Sequence, residues 1–263
     1  MKKTKKKVLL SFDVEEFDLP REHGAEISLE DGIKVSSTGL RKILKILDKQ
    51  KVKATFFTTG NFAKGNPSLV EKILREGHEL AAHGVDHFQP KDSDLAEAKA
   101  ILQKGRKLKI QGYRVPRMMK IDYEELKRLG YGYDSSVNPA FIPGRYNHLN
   151  VPRKPFVRDG IVEIPTSVAT GLRIPMFWLA LHIFPTSLYI KLAKKSLQET
   201  EYFATYFHPW EFADILKIKA VPFYIKKNSG KKLCERLSKV ITELKAEDVE
   251  FTTYGEFAKK FIQ

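Results

Sequence analysis

The chain has a single cysteine, Cys234, which excludes an internal disulfide and gives no support to an oxidising compartment. It also lacks any stretch of the roughly twenty apolar residues that a membrane-spanning helix needs. The basic start Met1-Lys2-Lys3-Thr4-Lys5-Lys6-Lys7 is followed by an apolar sequel of only Val8 to Leu10, too short for a secretory leader. A soluble, cytoplasmic protein is therefore expected, with the basic tail 1–7 either solvated or in contact with an anionic membrane surface. Internal repeats are missing, as is low-complexity sequence beyond that tail. Acidic residues are in deficit, 32 against 46 Lys and Arg, for a formal charge of +14. That excess suits an anionic partner, although a lysine-rich soluble surface has the same composition. Nucleic acid ranks last among such partners, because no recognition motif accompanies the charge.

What the chain does have begins with an apolar run, Val8-Leu9-Leu10, leading into Ser11-Phe12-Asp13-Val14-Glu15-Glu16-Phe17. Carboxylates crowded at the end of a buried strand must be answered by water, a cation or a reaction. In an extended chain Asp13 and Glu15 share one side, and Val14 and Glu16 the other. Residues 18–34 read as a charged loop with turns at Gly24 and Gly32. Ser37 or Thr38 then caps a helix whose Leu40, Ile43, Leu44 and Leu47 share one face.

Strand-then-helix units follow: a strand at 51–58, a helix from Pro67, a short strand into His83, a helix at 94–108 and a strand at 111–114. A helix at 122–129, strands at 131–134, 161–164 and 202–207, a helix at 231–245, a strand at 249–251 and a terminal helix complete the chain. No linker interrupts the series. An α/β fold in one domain over 1–263 is expected, either a β/α barrel or an open doubly wound sheet. The apolar stretch 172–192, with Pro175 and Pro185 inside it and Lys191, Lys194 and Lys195 at its end, reads as an outer helix packed on the sheet in preference to an interfacial one.

Chemistry gathers at the strand ends. His83-Gly84-Val85-Asp86-His87 spaces two imidazoles for chelation of a divalent cation, and one carboxylate beside them completes a three-ligand set with an open position, as catalytic zinc requires. Tyr113-Arg114-Val115-Pro116 offers a guanidinium, Tyr133-Asp134-Ser135-Ser136 a carboxylate with hydroxyls, and Phe207-His208-Pro209-Trp210-Glu211 a histidine. Singly these could be a surface ion pair, a turn cap and a core histidine. As a set at one barrel mouth they point to a site.

The order of acid cluster, His-x-x-x-His, Arg-x-Pro, Asp-Ser-Ser and late histidine resembles the polysaccharide deacetylase family, also called the NodB homology or carbohydrate esterase family 4 group. The resemblance runs from Leu9 to about Glu211. It implies a distorted β/α barrel of about seven parallel strands and metal-dependent removal of an N-acetyl or N-formyl group from an amino sugar. The substrate would be a polysaccharide, or a lipid- or nucleotide-linked glycan precursor. It further implies Asp13 as general base, His83 and His87 as ligands to a divalent metal (zinc), Arg114 as the partner of Asp13, His208 as general acid and Asp134 as the residue orienting it. Trp210, Pro116 and Ser135 are the expected sugar contacts. The family's usual motif has two adjacent aspartates, but here Val14 follows Asp13, so strand alternation makes Glu15 the expected third ligand before Glu16. Arg117 stands where an aromatic-Gly pair is common. Two other readings are a metal-independent amidohydrolase acting on a small amide and a catalytically silent carbohydrate-binding module.

Overall fold

The computed structural model describes residues 5–261 apart from 145, 170 and 172. Met1 to Thr4 of the lysine tail and Leu172 of the apolar stretch therefore lie outside the described residues. The main sheet is built from β1 (Lys6–Val14), β2 (Thr55–Thr58), β3 (Glu79–Ala82), β4 (Gly112–Tyr113), β5 (Tyr133–Asp134), β6 (Phe156–Arg158), β7 (Ile161–Glu163), β8 (Tyr202–Phe207) and β9 (Val249–Phe251). The spatial order is β8-β1-β2-β3-β4-β5-β7-β6, with β9 beside the start of β1. Every pairing is parallel except that of β6 with β7, so eight of the nine strands run the same way.

The sheet curls until its ends nearly meet. Beyond β7, Ser167 N donates to Ala204 O of β8 at 2.9 Å, and Tyr202 Oη of β8 donates to Pro165 O at 2.9 Å. Both faces are covered, which is why β1, β2 and β8 are near-continuous apolar runs. Leu9, Phe57, Ala81, Tyr133 and Ala204 pack inside the curl with Tyr254, while Val8, Leu10, Phe12, Phe56 and Phe207 pack outward in the helical layer. Parallel strands bring their C-terminal ends to one mouth, and those ends carry Asp13, His83, Arg114, Ser135 and His208.

Several boundaries differ from the sequence reading. Lys6 and Lys7 belong to β1, not to a free tail, and pair with β9. The helix expected after Ser37 spans Leu29–Gln50, capped by Ser28, whose Oγ accepts from Asp31 N at 3.1 Å. Gly32, read as a turn, sits inside it. A Cβ on Gly32 would lie 2.9 Å from Phe17 O, and one on Gly39 only 1.7 Å from Pro209 O. These glycines let the helix backbone press on the segments just beyond the acid cluster and just beyond His208. A close approach of backbones, not a turn, selects glycine there.

The helix expected at 94–108 ends at Gln103. The apolar stretch forms two helices, Trp178–Ile183 and Thr186–Thr200, broken at Pro185 and packed against β8 and the helix Lys231–Lys245. Among the described residues no helix is long and apolar enough to cross a membrane.

Candidate active site

Glu15 lies just past the end of β1, in the barrel mouth, and is 2% exposed. Its Oε1 accepts from Trp210 Nε1 at 3.0 Å. Its Oε2 is buried without a hydrogen-bond partner and faces both imidazoles, 3.4 Å from His83 Nε2 and 3.1 Å from His87 Nε2. The other nitrogen of each ring is engaged: His83 Nδ1 lies 2.8 Å from Arg114 O, and His87 Nδ1 lies 2.8 Å from Asp18 Oδ2. A backbone carbonyl can only accept, so His83 carries its proton on Nδ1 and turns the Nε2 lone pair toward Glu15. Asp18 likewise accepts from the Nδ1 N–H of His87. This outer support is what metal-binding histidines use to fix tautomer and ring orientation.

Glu15, His83 and His87 thus bring three donor atoms within 4.8 Å of one another. Burial alone would raise Glu15, but the imidazoles of His87, His208 and His83 hold its carboxyl below the ordinary range. Burial would likewise lower His87, yet Glu15 and Asp18 carry it up to about 9. Glu15 thus draws positive charge toward the imidazoles, and the set of two nitrogens and one carboxylate oxygen suits a divalent cation.

Glu16 does different work. Its Oε2 accepts from Thr59 Oγ1 at 2.8 Å, and its Oε1 accepts from Asn61 Nδ2 at 3.1 Å and from His87 N at 3.0 Å. Burial raises it. It ties the loop of His87 to the end of β2.

Asp13 meets the fully buried Arg114, whose Nη1 donates to its Oδ1 at 2.5 Å. The guanidinium is held on all sides: Nε donates to Ser135 O at 2.7 Å, Nη2 to Ser135 Oγ at 2.9 Å and Nη1 to Ser11 Oγ at 3.0 Å. The Phe57 ring lies 4.0 Å beneath it. Burial opposes the charge, and Asp13 outweighs that, so Arg114 is raised and stays cationic.

His208 needs a correction. Its expected orienting partner was Asp134, but its Nδ1 lies 2.9 Å from Glu211 Oε1. Asp134 accepts instead from Ser136 N and Ser136 Oγ, both at 2.9 Å, capping its own turn. The register of β5 on β7 sets Asp134 directly beside Glu163, and burial together with Asp134 drives the Glu163 carboxyl far upward. Burial raises Asp134 as well, and its oxygens are engaged by Ser136 and not by His208.

Glu211 is fully buried, and its second oxygen lies 2.8 Å from Nε2 of His182, so one carboxylate joins two imidazoles. His182 escaped the sequence reading because it sits inside the apolar stretch. Glu211 had a readable signal: an acid three residues after His208, the spacing of a capping box, which the structure forms.

The expected sugar contacts are placed as supports. Trp210 is 4% exposed, stacked on His208 with centroids 5.1 Å apart, and holds Glu15. Ser135 is enclosed in the Arg114 clamp, with its Oγ also donating to Ile164 O at 2.8 Å. Pro116 is buried against Gly84, where an added Cβ would come within 2.8 Å of its ring. The half-buried aromatic edge-on to both His208 and Trp210 is Trp178, with centroids 5.4 and 5.6 Å away. No motif marked it.

Residues 1–128 match the family model of polysaccharide deacetylases, and residues 135–259 match a domain of unknown function, DUF3473. The chain is 34% identical over 100 residues to the peptidoglycan-N-acetylmuramic acid deacetylase PdaA of Bacillus subtilis, covering 34% of this chain and 38% of that protein. It spans well under half the length of the curated relatives it matches first. In fold it is similar to Puue allantoinase, with a TM-score of 0.68 at 15% identity over 97% of this chain and 89% of that one. It is also similar to the Bc1960 peptidoglycan N-acetylglucosamine deacetylase, with a TM-score of 0.54 at 16% identity over 96% of this chain and 88% of that one. The curled parallel sheet is thus the distorted β/α barrel of the NodB type. Over residues 1–128, which supply the first strands of that barrel with Asp13, Glu15, His83, His87 and Arg114, the chain is thus similar to the polysaccharide deacetylase family.

Proposed function

We propose that the chain is a hydrolase that removes an N-acetyl or N-formyl group from an amino sugar in a polysaccharide or in a lipid- or nucleotide-linked glycan. The observation that carries this reading is the buried, unpartnered Glu15 Oε2 between two imidazoles whose Nδ1 atoms are held by Arg114 O and Asp18. Glu15, His83 and His87 fit a divalent cation, and zinc suits the donor set. When bound there, such an ion supplies Lewis-acid polarisation of the acyl carbonyl and acidifies water.

The chain's own residues do the proton work. Asp13, fixed by Arg114, takes a proton from the attacking water as the water oxygen adds to the acyl carbon. The C–N bond then breaks, and His208 gives its proton to the departing nitrogen from Nε2, the ring atom that Glu211 leaves free. An amine needs that proton to leave. The products are a carboxylate and a free amino sugar. Peptidoglycan is the substrate class named for relatives, which supports an N-acylated glycan here.

The test pairs metal content with acetate and formate release from peptidoglycan, chitin oligosaccharides and lipid-linked amino sugars. Wild type should hold one zinc per chain and release acid from at least one substrate, while Glu15→Ala should lose both. Release that survives exhaustive chelation would favour metal-independent chemistry, and a zinc-loaded chain silent on every substrate would favour the silent binding module.

A pH prediction attaches to Glu211. Burial lowers His208, and Glu15 and Glu211 more than offset this to raise it. Removing one carboxylate should bring the histidine back down, so the acid form disappears at lower pH. Glu211→Gln is therefore expected to move the alkaline limb of the kcat profile toward acid, and an unmoved limb would separate Glu211 from the acid step.

A further inference from the structure

The segment following His208 carries an exposed apolar and basic surface that the hydrolytic reading leaves unused. Leu216 is 49% exposed, Phe223 71% and Tyr224 52%. Large apolar side chains this open on one short segment mark an interaction site. Lys217, Lys219 and Lys227 are exposed among them, and between residues 215 and 234 the sequence has six lysines and no acid.

The segment is not a loose loop. Ile215, Val221 and Ile225 are buried with Phe17 and Trp210 in one apolar cluster, so the residues between them are pushed outward. Lys226 Nζ donates to Ile218 O at 2.5 Å within the segment, and Asn228 Nδ2 donates to His182 O at 2.5 Å, fastening the segment to the helix Trp178–Ile183. That helix ends on Ile183, itself 46% exposed. Trp210 is at once a member of the buried cluster and the donor to Glu15, so the exposed face is anchored directly behind the barrel mouth.

We infer that this face docks on an anionic lipid bilayer, with Leu216, Phe223 and Tyr224 entering the headgroup region and Lys217, Lys219 and Lys227 meeting lipid phosphates. Charge complementarity selects a negative partner, and the exposed aromatic and aliphatic groups select one with an apolar interior over a soluble polyanion. The occupant is a lipid surface, which would present a membrane-linked glycan to the mouth. Only that last consequence rests on the hydrolytic reading; docking itself does not.

The experiment is sedimentation of the full chain with phosphatidylcholine vesicles containing 0 or 30 mol% phosphatidylglycerol. Binding is expected only with phosphatidylglycerol. Phe223→Ser with Tyr224→Ser, and separately Lys217→Gln, Lys219→Gln and Lys227→Gln together, should each weaken it by at least an order of magnitude, about 1 kcal/mol per lysine near an anionic surface corresponding to roughly five-fold each. Circular dichroism checks that each variant is folded. Equal binding to neutral vesicles, no binding, or a serine variant that binds like wild type would overturn the proposal. So would competition by a soluble polyanion such as heparin that leaves no lipid-specific component. Because sedimentation needs no turnover, its failure is distinct from failure of the hydrolytic reading.

Discussion

Asp13→Asn is expected to lower kcat by about 10²–10⁴-fold, the usual contribution of a positioned general base, while zinc content stays at the wild-type level. The separation follows from the geometry. Asp13 is not one of the three clustered donors, which are Glu15, His83 and His87. Asparagine keeps the shape and an acceptor oxygen for Arg114, so the clamp survives while the basicity is gone. Metal analysis and steady-state kinetics on the same preparation check this. A variant within ten-fold of wild type would remove Asp13 from the base role, and one that loses zinc in parallel would place it among the ligands.

Arg114→Met should destabilise the protein by about 3–5 kcal/mol, because removing one partner of a buried ion pair strands the other. Here the stranded group is Asp13, 2% exposed. Methionine fills much of the arginine volume over Phe57, so the loss reports chiefly the charge, although the bonds to Ser135 and Ser11 go as well. Urea denaturation measures it. Combining Arg114→Met with Asp13→Asn should recover part of the stability, since the asparagine leaves no charge to strand. If the double variant is as unstable as the sum of the two single ones, the charge pair is not what the clamp stabilises.

Much of the barrel was legible in order and type. β1, β2 and β8 are long apolar runs because a parallel sheet covered on both faces has no polar side to show. The amphipathic helix Lys231–Lys245 was readable to the residue, since its buried Leu233, Leu237, Val240, Ile241 and Leu244 follow one helical face. The helix from Leu29 was not, because Gly32 breaks the local signal for a reason that lies in the backbone of Phe17.

The candidate site divides along the same line. Asp13, Glu15, His83 and Arg114 could be named because each lies at a strand end, and His87 because it follows His83 at a chelating spacing; parallel strands deliver their ends to one mouth. Asp134 closes a strand too, yet its in-register neighbour is Glu163, a fact of strand pairing that its own sequence context cannot carry. Ser135, Pro116 and Trp210 have the chemistry of substrate contacts, and only packing turned them into supports for Arg114, Gly84 and Glu15.

The sequence by itself determined the layered α/β architecture and the inventory of acids, imidazoles and guanidinium at strand ends, because hydrophobic period and residue chemistry are local properties. Only the tertiary structure decided the partnerships. The opening acids separate into Asp13 on Arg114, Glu15 between two imidazoles and Glu16 on Thr59 and Asn61, and His208 turns to Glu211 and, through it, to His182. Hydrogen bonds and ion pairs act over about 3 Å, and which groups come that close is set by strand register and helix packing between residues far apart in the chain.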